Sequence, residues 1–287
     1  MVTNNNYKEI KKILLIVLVL NWLVALSKII YGIFTNCISI KSDGFHSLFD
    51  GVSNIIGLIG ITVASLPKDK NHPYGHKKYE TLFSLGIATL IFITCFNLIK
   101  EGLIRFYNKK IPFVNLGSFL IMIITITINF FAMRYEYRKG KELKSDILIS
   151  DSLHTKSDIF TSVSVIIALI LLKFKFFIFD PITTIIIALF IAYTGFEIVK
   201  ESQGILCDEM VLDTKDIEKI VLSVDGVEAC HKIRTRGRPD DIHIDLHVQV
   251  RKDMSVEKAH IISYKIEEII KKKINGVSDV IIHMEPK

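Results

Sequence analysis

The first 204 residues alternate between long apolar stretches and short polar ones, whereas the rest of the chain forms short amphipathic elements. A helix that crosses a bilayer core about 30 Å thick needs roughly 20 apolar residues. Six stretches are long enough, so the pattern predicts an α-helical membrane bundle of six transmembrane helices. They are Ile13–Phe34, Ile38–Leu66, Tyr79–Leu103, Phe113–Arg134, Ile147–Leu172 and Phe177–Val199.

After Gly204 the pattern predicts a small α+β domain with the order αββαβ and one sheet face covered by helices. The second strand alternates strictly between apolar and polar residues, and Asp213 and Ser255 are the predicted N-caps of the two helices. We therefore predict two domains, a membrane domain at 1–204 and a cytoplasmic domain at 205–287. The predicted helices are Asp213–Val224 and Ser255–Lys273, and the strands are Glu228–Arg236, Asp241–Arg251 and Val277–Met284.

Charge is distributed unevenly between these two parts. Residues 205–287 carry a net charge of −2 and residues 1–204 a net charge of +8, so no basic domain is available to bind nucleic acid. The N-terminal tail and the loops after the second and fourth spans hold 12 Lys and Arg. The loops after the first, third and fifth spans hold five. By the positive-inside rule, we expect a multi-pass protein of the cytoplasmic (cell) membrane with both termini in the cytoplasm.

The second and fifth predicted spans share the pattern S-D-x-x-H-x-x-x-D, at residues 42–50 and 150–158. A repeat three spans apart implies two halves of opposite topology, as in transporters with a site at the membrane midplane. Steps of three and four residues place the acidic and histidine side chains of each repeat on one helical face. These residues are Asp43, His46 and Asp50 in one repeat, and Asp151, His154 and Asp158 in the other.

Carboxylates and imidazoles inside a membrane are energetically costly, which favours a functional ion site over simple pairing between helices. Two imidazole nitrogens and two carboxylate oxygens form a tetrahedral set that suits Zn²⁺. Calcium would need six or more oxygens, and Cu⁺ would need sulfur ligands. Fe²⁺, Co²⁺, Cd²⁺ and Mn²⁺ remain open on this chemistry alone.

The loop between the second and third spans contains Asp69, His72 and His76 around a Pro-Tyr-Gly turn. Their spacing is compatible with a second metal site. It is equally compatible with a rigid turn whose histidines pair locally.

These features together resemble the cation diffusion facilitator family, and the resemblance covers nearly the whole chain. It implies a homodimeric antiporter that exports a divalent metal from the cytoplasm in exchange for protons. It assigns the transport site to His46, Asp50, His154 and Asp158. Members with Asp in place of both histidines tend toward Mn²⁺, so the histidines here favour zinc as the transported substrate. In some members the loop positions that match Asp69, His72 and His76 bind a second metal.

The resemblance also implies a metallochaperone-like cytoplasmic domain that binds metal and regulates transport. Many members have Asp where this chain has Glu285, which predicts a change in coordination geometry there. The positions that fit the family's cytoplasmic ligands are His231, His247, His260, His283 and Glu285.

Two other classes of protein compete with a transporter. An intramembrane metalloprotease would need a general base beside the metal, typically within H-E-x-x-H, and the sequence has no such motif, so we expect no enzyme. A non-transporting membrane metal sensor would keep the cytoplasmic ligands. It would have no need of a duplicated site in the membrane.

Overall fold

The computed structural model describes residues 4–34, 38–108, 116–173 and 179–287. The chain folds into two compact units, Asn5–Ser202 and a second one that contains Gln203–Lys287. The first unit contains six long helices, and the second contains two helices and three strands. In chain order the elements are α1 (Asn4–Phe34), α2 (Ile38–Ala64), α3 (Lys78–Asn108), α4 (Leu116–Leu143), α5 (Asp146–Lys173), α6 (Phe179–Leu206), α7 (Thr214–Leu222), β1 (Ala229–Arg238), β2 (Asp241–Val250), α8 (Val256–Lys273) and β3 (Val277–Pro286).

The helices α1 to α6 each contain 27 to 31 residues, enough to cross a bilayer core about 30 Å thick. Within the described residues, three segments are long and apolar enough to span by length and composition: Asn6–Tyr31, Lys78–Lys100 and Phe119–Leu143. The helices α2 and α5 carry the polar repeats. The described part of α2 has a shorter apolar stretch at Gly51–Ala64.

Apolar side chains form clusters inside the bundle and also cover much of its outer surface. Ile13, Leu14, Ile61, Ile87 and Ile147 meet in a cluster that joins α1, α2, α3 and α5. Outward-facing side chains remain highly exposed and apolar, which suits contact with lipid rather than water. Examples are Leu23, Phe96, Phe131, Leu189 and Phe190.

Close helix contacts in the bundle depend on small residues. A Cβ atom at Gly60 on α2 would lie 2.6 Å from the Cβ atom of Phe83 on α3. Since no real side chain tolerates that distance, glycine at this position sets how closely α2 approaches α3.

The C-terminal unit has the predicted order αββαβ, and its three-stranded sheet has the order β1-β2-β3. The strand β2 pairs antiparallel with β1 and parallel with β3. Its apolar positions are buried in a core beneath α7 and α8, as its alternation predicts. The predicted N-caps are confirmed, because Asp213 accepts from the N–H of Lys215 and Ser255 from that of Lys258.

Candidate metal sites

Half of the predicted transmembrane site is described in the structure. His154 and Asp158 lie one turn apart on α5, and His154 Nδ1 is 3.2 Å from Asp158 Oδ2. His154 is almost fully buried, whereas Asp158 retains 15 % exposure. The other two predicted ligands, His46 and Asp50, lie on α2, and their side chains are outside the described residues.

Asp158 lines a small cavity inside the helical bundle, with a volume of about 10 Å³. That volume is about the lower limit for one water molecule, and a bare transition-metal ion is smaller. The cavity receives side chains from α1, α2, α4 and α5. The other lining residues are Asn21, Val24, Ser47, Asn129 and Thr155.

Asp151 lies one turn before His154 and is fully buried. Its Oδ2 accepts a hydrogen bond from Nδ2 of Asn54 on α2, whose Oδ1 accepts from Nδ2 of Asn21 on α1 at 3.0 Å. The carboxyl group of Glu136 on α4 lies beside that of Asp151 and is also fully buried. The amides of Asn21 and Asn54 could have been found as polar groups inside apolar spans, whereas Glu136 lies beyond the predicted end of the fourth span at Arg134.

The loop between α2 and α3 brings together all three of its predicted residues. One ligand atom each from Asp69, His72 and His76 lies within 4.8 Å of the others. Asp69 Oδ2 is 3.5 Å from His76 Nε2, and Asp69 Oδ1 is 3.2 Å from His72 Nδ1. His76 is 5 % exposed, and its Nδ1 has no hydrogen-bond partner among the described residues.

Backbone geometry positions this loop. Asp69 Oδ1 accepts hydrogen bonds from the N–H groups of Asn71 and His72 at 2.9 and 2.7 Å, an Asx-type turn. Gly75 has a φ of +94°, which an L side chain rarely adopts. The hydrogen bond from the backbone N–H of His72 is the main cause that lowers the pKa of Asp69. This bond favours the ionised carboxylate, which is the form that binds a cation.

A second group of three residues forms on the sheet of the C-terminal unit. His231 on β1 pairs directly with His247 on β2, which pairs with His283 on β3, so three imidazoles form a row across the strands. Glu285 Oε1 is 2.6 Å from His247 Nδ1, and Glu285 Oε2 is 3.3 Å from His231 Nε2. The ligand atoms of His231, His247 and Glu285 lie within 4.8 Å of one another.

The remaining predicted cytoplasmic ligands lie farther from this group. His283 Nε2 is 3.7 Å from Glu285 Oε1, and its ring centroid is 4.7 Å from that of His247. His260 is exposed on α8, where its ring contacts Tyr264 edge-to-face. The hydrogen bond from His247 is the main cause that lowers the pKa of Glu285, so its carboxylate is ionised and available to a cation.

The chain matches two models of one protein family. A cation efflux transmembrane domain matches residues 14–207, and the cytoplasmic domain of cation efflux proteins matches residues 212–287. An uncharacterized transporter of Methanocaldococcus jannaschii is 36 % identical over 95 % of this chain and 96 % of its own length.

Relatives with named cargo are more distant. The manganese efflux system protein MneS of Bacillus subtilis is 27 % identical over 90 % of this chain and 89 % of its own. A cadmium, cobalt and zinc/H⁺-K⁺ antiporter of the same species is 28 % identical over 98 % of this chain and 91 % of its own. A crystal structure of the cytosolic domain of a cation diffusion facilitator family protein aligns with 25 % of this chain and 87 % of its own, at 30 % identity and a TM-score of 0.24. Because the two family models together match residues 14–207 and 212–287 and one relative is 36 % identical over 95 % of the chain, the chain belongs to the cation diffusion facilitator family, whose members export divalent metal cations across membranes.

Proposed function

We propose that this protein exports a divalent transition metal, with zinc as the preferred substrate, from the cytoplasm in exchange for protons. The main support is the contact between His154 and Asp158, 3.2 Å apart beside a cavity in the bundle. With His46 and Asp50 on α2 they would complete a set of two nitrogen and two oxygen ligands.

Proton exchange follows from the chemistry of such ligands. Imidazole must be neutral and carboxylate must be ionised to bind a metal, so metal binding releases protons. Histidine has a reference pKa of about 6.5, so protons compete with metal near neutral pH. When the site faces the outside, protons displace the metal from His46 and His154, and the protonated site returns inward.

The preference for zinc is based on the two histidines in the transport site, since nitrogen ligands suit Zn²⁺. The zinc, cadmium and cobalt antiporter among the relatives supports it. Manganese is the second candidate, because two of the relatives are named as manganese efflux proteins. A non-transporting membrane metal sensor remains the alternative from another class.

We propose two further roles for the metal sites outside the membrane. Asp69, His72 and His76 bind a metal in the loop, on the cytoplasmic side if both termini are cytoplasmic. His231, His247 and Glu285, with His283 beside them, bind metal in the cytoplasmic domain, whereas His260 lies on α8 apart from this group. This metal favours one arrangement of a homodimer and so regulates transport, because a ligand shifts a population only if it binds one state better.

The experiment uses the purified protein in proteoliposomes that contain a pH-sensitive dye. Zn²⁺, Mn²⁺, Fe²⁺, Co²⁺ and Cd²⁺ are added singly, and metal uptake and proton movement are recorded together. We expect metal and protons to move in opposite directions. The ratio of the maximal transport rate to KM should be highest for zinc. Metal binding without sustained flux would instead identify a sensor.

A further inference from the structure

The cavity beside Asp158 contains an acceptor that the four-ligand transport site does not use. Asn129 on α4 lines this cavity together with Asp158 on α5. Its Oδ1 atom is buried and has no hydrogen-bond partner among the described residues. A buried carbonyl oxygen without a donor is energetically unfavourable, so an occupant that binds it is favoured.

Each of the other polar residues that line the cavity with Asp158 makes at least one hydrogen bond. The hydroxyl of Thr155 donates to the carbonyl of Asp151, and Ser47 Oγ accepts from Lys28 Nζ at 2.9 Å. Asn21 Nδ2 donates to Asn54 Oδ1. The amide oxygen of Asn129, which is buried and has no described hydrogen-bond partner, and the carboxylate of Asp158 can both bind a cation in this cavity, directly or through a bound water.

We propose that Asn129 supplies an additional oxygen ligand to the transported metal and thereby determines how well the site accepts ions other than zinc. This inference rests on the proposed function, because it needs a metal beside Asp158. An amide oxygen adds no charge and no proton exchange, so it changes coordination number rather than proton stoichiometry.

The contribution of Asn129 differs between metals because their coordination preferences differ. Zn²⁺ is satisfied by four ligands in a tetrahedron. Mn²⁺ prefers six ligands, mostly oxygens, in an octahedron. Loss of one oxygen ligand therefore weakens Mn²⁺ binding more than Zn²⁺ binding.

The test measures zinc transport in proteoliposomes and its inhibition by Mn²⁺, so that a value is obtained even if manganese binds without being transported. The variants are Asn129→Ala, which removes the oxygen, and Asn129→Asp, which keeps oxygen ligands in nearly the same shape. Thr127→Val on the same helix is the control, because its side chain is exposed and its hydroxyl donates to the backbone carbonyl of Ile123.

We expect Asn129→Ala to raise the ratio of the Mn²⁺ inhibition constant to the zinc KM by about tenfold. Asn129→Asp and Thr127→Val should keep the ratio at or below the wild-type value. An unchanged ratio in Asn129→Ala, an equal rise in both Asn129 variants, or a wild-type protein that Mn²⁺ does not inhibit would overturn the proposal. Absence of any wild-type metal flux would instead overturn the proposed function.

Discussion

His247 Nδ1 lies 2.6 Å from Glu285 Oε1 across the parallel strands β2 and β3. The second oxygen of the same carboxylate is 3.3 Å from His231 Nε2 on β1. A single carboxylate therefore joins two imidazoles from two other strands. Because the sheet fixes all three backbones, little ordering remains for a metal to impose when it binds.

Replacement of Glu285 by Gln should weaken zinc binding by the cytoplasmic domain. The charge that attracts the cation is lost and the contact to two histidines is weakened, so we expect the affinity to fall roughly 10- to 100-fold. Calorimetric titration of the full-length protein in detergent, with the transport site disabled by Asp158→Ala and the loop site by Asp69→Asn, measures this affinity. Glu268→Gln is the control, since Glu268 is exposed on α8. Equal zinc affinities in the Glu285→Gln and Glu268→Gln proteins would show that Glu285 does not bind the metal.

The loop between α2 and α3 allows metal binding to be separated from turn formation. Asp69→Asn retains an oxygen that accepts the N–H bonds of Asn71 and His72, whereas Asp69→Ala retains none. If Asp69 binds metal, both variants should raise the KM for zinc several-fold, because both lose the carboxylate charge. A KM that rises only in Asp69→Ala would show that the residue serves the turn alone.

Two cysteines of the C-terminal unit should differ in reactivity. Burial raises the pKa of Cys230 to about 11, so its thiolate fraction at pH 7.5 lies below about 0.1 %. Cys207 is exposed. We expect a maleimide to label Cys207 rapidly and Cys230 slowly, with the Cys230 rate rising about tenfold per pH unit below pH 11. Peptide mass spectrometry measures both rates, and equal rates at pH 7.5 would contradict the burial of Cys230.

Glu80 joins the start of α3 to the start of α5. It is buried, and its Oε1 accepts hydrogen bonds from Ser145 Oγ and from the N–H of Ile147. Glu80→Ala leaves both donors unpaired, which should destabilise the protein by about 1–3 kcal/mol. A lower melting temperature in detergent is the expected readout. Glu142→Ala, which removes only surface ion pairs on α4, should change it little.

Much of the fold could be predicted from the sequence because periodicity and hydropathy are local signals. The strict alternation of β2, with Ile244 and Leu246 buried and His247 on the other face, followed directly from the chain. The N-caps Asp213 and Ser255 did as well, because a cap depends on residues two or three positions away.

The parts of the sites that depend on contacts between distant helices could not be predicted. The hydrogen bond from Asn54 to Asp151 joins residues 97 positions apart, and no spacing rule identifies such a pair. The approach of Glu136 to Asp151 and the place of Asn129 at the cavity likewise depend on how α4 meets α5. In the cytoplasmic domain, the register of the strands places His231 beside His247 and Glu285. His260 lies on α8, outside the sheet, and is not part of this group.

The most direct test of the account is metal-driven proton flux through the Asp158→Ala protein in proteoliposomes. Asp216→Ala on α7 is the matched control, because it removes an exposed carboxylate outside the bundle. We predict that zinc-driven flux in Asp158→Ala falls to the level of protein-free liposomes, while the control variant transports like the wild type. Wild-type flux in Asp158→Ala would contradict the assignment of the transport site.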